Sequence, residues 1–139
     1  MLKRTLLIGS VVCGVLLVNG LDTATAQERP TPRYKDGKDV YERICQACHM
    51  PDAKGAVGAA AYPALAGNPK LATGMYPALV VMQGYKSMPP FYELNDEEVA
   101  AVTNYIRTNF GNHFTDAITA AEVKAIRPAQ VRRRGGRAG

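Results

Sequence analysis

Cys45-Gln46-Ala47-Cys48-His49 is the stretch on which the reading of this chain turns. On a helical turn, residues three apart share a face, so Cys45 and Cys48 offer two thiols to one object and His49 adds an imidazole beside them. A C-x-x-C-H run is an attachment signal for haem c: the thiols join its two vinyl groups as thioethers and the histidine nitrogen binds the iron. Two other chemistries use the same residue types. A thioredoxin-like dithiol needs a strand before it and a βαβ frame around it. A closed zinc site needs four ligands, and beyond the motif the chain after residue 26 supplies His113 and no further cysteine.

Immediately upstream, Asp36 is a good N-cap, and a helix begun there carries Val40, Ile44 and Ala47 on one apolar stripe, with Gly37 and Tyr41 on a neighbouring face. That helix delivers Cys45, Cys48 and His49 at its C-terminal end. Downstream, residues 50–70 are rich in Gly, Ala and Pro and read as an irregular loop wrapped around something. A second helix runs from Tyr76 or Pro77 to Gln83, with proline in its first turn and Gly84 as its stop. A third starts at Asn95, where Glu98 completes a capping box and Leu94 and Val99 form a hydrophobic staple. Its buried stripe is Val99, Val102, Ile106 and Phe110, and Gly111 ends it. A short last helix spans residues 119–127, with Thr119 and Glu122 as a second capping box and Pro128 beyond it. No internal repeat and no clear strand is present, so the fold class is all-α.

The second axial donor has one favoured source. Met88 follows His49 by 39 residues and stands in Tyr85-Lys86-Ser87-Met88-Pro89-Pro90-Phe91. Tandem proline excludes a helix there and predicts a stiff, extended loop. A thioether is a soft ligand that favours ferrous iron, and a His/Met pair raises the reduction potential. Met82, inside a helix, and Met75 read as flexible core fillers. Met50 is too close to His49 to reach the opposite haem face. His113 is the alternative ligand, and its place after a helix stop reads as surface. The expected metal ligands are therefore His49 and Met88.

The ends of the chain differ from its body. Lys3 and Arg4, the apolar run from Leu6 to Val18 and Ala24-Thr25-Ala26 form a secretory signal over residues 1–26. The run is shorter than the roughly 20 residues of a spanning helix, so cleavage is favoured over a retained anchor. Cys13 leaves with it. Residues 27–35 are an extended leader, residues 36–127 the folded domain, and residues 128–139 a basic disordered tail. Between residues 27 and 126 there are ten Lys and Arg against eleven Asp and Glu, while five arginines and no acid follow. The formal charge of +5 thus belongs to the ends, and the fold itself offers no basic surface for nucleic acid. The arginine tail is a solvated end that could make weak contact with anionic lipid headgroups at a membrane surface.

Over residues 36–111 the chain resembles the class I c-type cytochromes. The resemblance rests on Val40-Tyr41 with Cys45 to His49, on Tyr62-Pro63-Ala64-Leu65-Ala66-Gly67-Asn68, on Tyr85-Lys86-Ser87-Met88-Pro89-Pro90, and on the helix carrying Val102 and Tyr105. It implies a small helical fold around one covalent haem c held by Cys45, Cys48, His49 and Met88. By match to the family, the Pro63 carbonyl would accept the other ring N–H of His49, and Leu65 would pack on the haem. Gly37 and Tyr41 would cross Val102 and Tyr105, glycine permitting the close approach. The variant sequences around Pro63 and Met88 are similar to cytochrome subunits that accompany bacterial dehydrogenases. The function so implied is periplasmic electron transfer and not catalysis, with a dehydrogenase or a quinol-oxidising complex as donor and an oxidase or reductase as acceptor. A sensor or catalytic subunit, in which Met88 dissociates and the iron binds a gas or peroxide, is the alternative.

Overall fold

The computed structural model describes residues 32–58 and 61–129. The expected signal, the first part of the leader and residues 130–139 of the tail lie outside the described residues. Among those described the chain is helical, and no strand forms. Two isolated antiparallel bridge pairs, Ala56 with Tyr62 and Tyr85 with Met88, are the extended pairings present.

The motif sits at the end of a continuous helical run made of α1 (Gly37–Val40), a π-helical turn (Tyr41–Cys45) and α2 (Gln46–His49). Asp36 starts it as expected, its carboxylate accepting from the Asp39 N–H at 2.8 Å. The stripe inward begins as expected with Val40, fully buried, and Ile44, half-buried, but Ala47 is exposed. The π turn is the physical reason. Its wider winding delays each later residue around the axis, so a 3.6-residue stripe begun at Val40 has left the core by Ala47.

After a single 3₁₀ turn (Pro69–Leu71), α3 spans Met75–Gln83. Pro77 lies in its first turn, where a missing N–H costs nothing, and Gly84 ends it at φ +75. Ala78, Val81 and Met82 face the core, with Met82 fully buried as expected, whereas Met75 is 54% exposed and fills no core space. It occupies the first position of α3, ahead of the turn that docks.

α4 (Asp96–Thr108) begins with the full capping box, Asn95 accepting from the Glu98 N–H at 2.8 Å and Glu98 from the Asn95 N–H at 2.9 Å. Leu94, Val99, Val102 and Ile106 are buried. Each such side chain removed from water contributes about 1.5–3 kcal/mol. Phe110 is only half-buried and lies past the helix end, in a left-handed conformation at φ +56. α5 (Ala120–Ile126) carries the second capping box at Thr119 and Glu122 and packs on α4 and α3.

α1 crosses α4 at Gly37, where an added Cβ would stand 2.1 Å from the Ala101 carbonyl oxygen and 2.9 Å from Tyr105 Cβ. The close approach expected of that glycine is present. Tyr41 packs beside it in an aromatic trio, its ring centroid 5.7 Å from Tyr105 and 4.9 Å from Phe110. Its hydroxyl donates to the Met50 carbonyl at 2.7 Å, which ties the crossing to the residue just after the motif.

Candidate haem site

His49 ends α2, and the chain reverses directly behind it. Met50 and Ala53 both take positive φ, the Gly55 N–H returns to the His49 carbonyl at 3.1 Å, and Ala56 and Tyr62 exchange backbone hydrogen bonds of 3.1 and 2.8 Å. That small clamp brings the Pro63 carbonyl oxygen to 3.0 Å from His49 Nδ1. A carbonyl can only accept, so the bond requires the proton on Nδ1 and leaves the Nε2 lone pair as the metal-binding end. His49 is 8% exposed. The contact implied by the family resemblance is therefore made by these residues.

Cys45 and Cys48 are free and half-buried. Burial, with a smaller contribution from Cys48, pushes the Cys45 thiol up to about 12. A thiol–disulfide catalyst needs the opposite, a thiol held low by positive surroundings, and among the described residues no strand precedes this pair. Among the described residues no three His, Cys, Asp or Glu side chains gather as a metal cluster would require, which leaves the zinc reading without its ligands.

Met88 stands at the end of a tight reversal rather than on an extended loop. Tyr85 and Met88 pair through two backbone hydrogen bonds of 3.0 Å, with Lys86 at φ +53 between them. The prolines that follow cannot donate, so the local hydrogen bonds form on the N-terminal side of Met88 and fold the segment into a hairpin turn. The Phe91 N–H then fastens the outgoing end to the Val81 carbonyl of α3 at 3.0 Å. Met88, Leu65, Ile44, Cys45, Leu79 and Phe91 are all half-buried apolar groups packed against the core. Apolar side chains left partly in water by the chain itself suit a large apolar cofactor. Two thiols, an imidazole with Nε2 available and a thioether are the donor set that haem c takes. The residues present fit the group.

Several positioning contacts have no signal in the local sequence pattern. Asn112, 3% exposed, donates to the Leu65 and Ile106 carbonyls, both at 2.8 Å, and accepts from the Asn68 N–H at 3.0 Å. It pins the loop carrying Leu65 to the end of α4. Arg107 is a buried cation, 1% exposed, that donates to the Leu71 and Ala72 carbonyls at 2.8 and 2.9 Å and to the Asp116 carboxylate at 2.6 Å. Glu98 reaches beyond its capping box to the N–H groups of Arg33 and Tyr34, so the end of the leader is docked. Arg127 belongs to the fold as well, paired with Asp96 at 2.6 Å. His113 is exposed, as expected.

Fold and donor set together define a small c-type cytochrome domain. Residues 32–106 match the family described as cytochrome C oxidase, cbb3-type, subunit III, more than half of the chain, and the protein belongs to that family. Membership carries with it a covalently bound haem c. The chain is 32% identical to cytochrome c-552 of Thermus thermophilus, the match covering 91% of this chain and 87% of that one. It is 30% identical to the cytochrome c subunit of 4-cresol dehydrogenase (hydroxylating) from Pseudomonas putida, over 69% of this chain and 80% of the other. Identity to the cytochrome c subunit of alcohol dehydrogenase (quinone) from Gluconacetobacter polyoxogenes is 32%, over 66% of this chain and 22% of that subunit. The chain thus spans about a fifth of the length of such dehydrogenase subunits.

Proposed function

We propose that this protein is a periplasmic single-haem electron carrier, with haem c joined to Cys45 and Cys48 and its iron held between His49 Nε2 and the Met88 sulfur. The observation that carries the reading is the 3.0 Å contact from His49 Nδ1 to the Pro63 carbonyl, because it commits one ring nitrogen and frees the other for metal. Haem bound there supplies a one-electron ferrous–ferric couple. The protein's own part is positional. Cys45 and Cys48 would fix the porphyrin to the end of the helical run, and His49 and Met88 would hold its iron, which would leave no open position for a substrate. Leu65 supplies an apolar surface that lowers the local dielectric around the site. The protein acts as a carrier, not an enzyme.

Residues 1–26 serve as the export signal, residues 36–127 as the cytochrome domain and residues 128–139 as a basic tail whose arginines touch anionic headgroups weakly. Among the described residues no helix is long and apolar enough to cross a membrane. The relatives named for dehydrogenases favour a dehydrogenase as donor, with a quinol-oxidising complex as the other upstream source and an oxidase or reductase downstream.

The test compares wild type with Met88→Ala. Wild-type ferric protein should show the weak red charge-transfer band of sulfur-ligated haem, and its reduced form should resist carbon monoxide. Met88→Ala should lose the band, bind carbon monoxide readily and have a lower reduction potential. A wild-type protein that lacks the band and takes up carbon monoxide is the gas- or peroxide-binding alternative.

A further inference from the structure

We infer that Gly84 is a positioning residue for the Met88 ligand, its missing side chain setting how far the Met88 sulfur can advance towards the iron. The inference rests on the reading of Met88 as an axial donor. Gly84 closes α3, its N–H bonded to the Val80 carbonyl at 2.8 Å, and it holds φ +75. An added Cβ there would meet the Met88 carbonyl oxygen at 2.6 Å, the Pro90 nitrogen at 2.9 Å and the Pro89 carbonyl carbon at 3.1 Å. All three are backbone atoms of the ligand segment, so no side-chain rotation relieves the overlap.

The segment is also fastened at both ends. The Tyr85–Met88 pair closes the hairpin on one side, and the Phe91 N–H to Val81 carbonyl bond holds the other. Between those two points Pro89 and Pro90 have fixed φ, which leaves few ways to absorb a push. A methyl group at position 84 therefore displaces Met88 as a unit, by several tenths of an ångström. A thioether–iron bond is directional, and displacement on that scale weakens it where a looser loop would accommodate it.

Gly111 provides the control. Like Gly84 it holds a positive φ, +78, yet nothing lies within 4 Å of a Cβ built there. Gly111→Ala introduces the left-handed strain without the contact.

The experiment compares holoprotein of wild type, Gly84→Ala, Gly111→Ala, Met88→Ala and the Gly84→Ala/Met88→Ala double variant. The red charge-transfer band, carbon monoxide uptake by the reduced form and the reduction potential are recorded for each. Gly84→Ala should lose most of the band, raise carbon monoxide affinity at least tenfold and shift the potential towards that of Met88→Ala. Gly111→Ala should match wild type in all three. In the double variant Gly84→Ala should add nothing to Met88→Ala, since its effect runs through the sulfur. Wild-type spectra in Gly84→Ala, equal losses in Gly111→Ala, additive effects in the double variant, or failure of Gly84→Ala to yield holoprotein in both backgrounds would each overturn the inference. A Met88→Ala protein spectrally identical to wild type would instead remove Met88 as the ligand, which is a failure of the functional reading.

Discussion

His49 Nδ1 donates to the Pro63 carbonyl oxygen across 3.0 Å, joining the last residue of the C-x-x-C-H motif to a proline fourteen positions on. The bond sets the tautomer, aims the ring and makes the free nitrogen more basic. Gly55 allows it: its backbone passes so close under Tyr62 and Pro63 that an added Cβ would stand 2.1 Å from the Tyr62 carbonyl oxygen.

That bond makes a signed prediction. Pro63→Gly keeps the carbonyl but frees its φ, so the acceptor no longer stays over Nδ1. A less basic imidazole stabilises ferric iron less, and the reduction potential should rise. The direction is opposite to that expected for Met88→Ala, so potentiometry on the two variants separates the two axial sides. An unchanged potential in Pro63→Gly would mean the contact has no hold on the ligand.

Arg107 and Asp116 form an ion pair of unequal burial, with side-chain exposures of 1% and 73%. Arg107→Met removes the donor shared by the Leu71, Ala72 and Asp116 carbonyls and should cost about 2–4 kcal/mol of stability, the scale of orphaned buried acceptors. Asp116→Asn should cost little, because an exposed partner is solvated either way. The hydrogen bond from Arg107 holds the Asp116 carboxyl below its usual range. A lowered folded-state value contributes stability above the unfolded value and loses it as pH falls through the folded one. Asp116→Asn should therefore lose that small contribution near neutrality, converge with wild type at acid pH and flatten the stability profile between the two. Urea midpoints across that range test both statements, and equal losses in the two variants would contradict the argument.

Glu98 has more to lose than its capping partner. Asn95→Ala should cost about 1 kcal/mol, the usual worth of an N-cap. Glu98→Ala also strips the acceptor from the Arg33 and Tyr34 N–H groups and should cost about 2–3 kcal/mol. Amide exchange at Arg33 and Tyr34 should accelerate in Glu98→Ala and not in Asn95→Ala. Equal exchange in both variants would mean the leader is held by something else.

The parts of this fold that were legible in the sequence are those decided over a few residues. Asp36, the Asn95–Glu98 box and the Thr119–Glu122 box each satisfy helix N–H groups three or four positions away, so spacing alone reveals them. The Pro63 contact came from resemblance, since no local rule links residues 49 and 63. Arg107, Asn112 and Gly84 were missed for a related reason. Asn112 finds its acceptor 47 residues back, Arg107 reaches 36 residues back to Leu71, and Gly84 reads as an ordinary helix stop until Met88 is seen lying over it. Ala47 was misplaced because a π turn breaks a period taken as constant, and Met88 because its hairpin is closed by backbone bonds that leave no mark on residue identity.

The covalent joining of haem to Cys45 and Cys48 can be weighed directly. Cleavage after Arg43 and Lys54 releases residues 44–54, which hold both motif cysteines. Mass spectrometry of that peptide, from protein matured in a host able to attach haem, should show one added haem with neither thiol left to alkylate. The same peptide carrying two alkylatable thiols and no added mass would contradict the account.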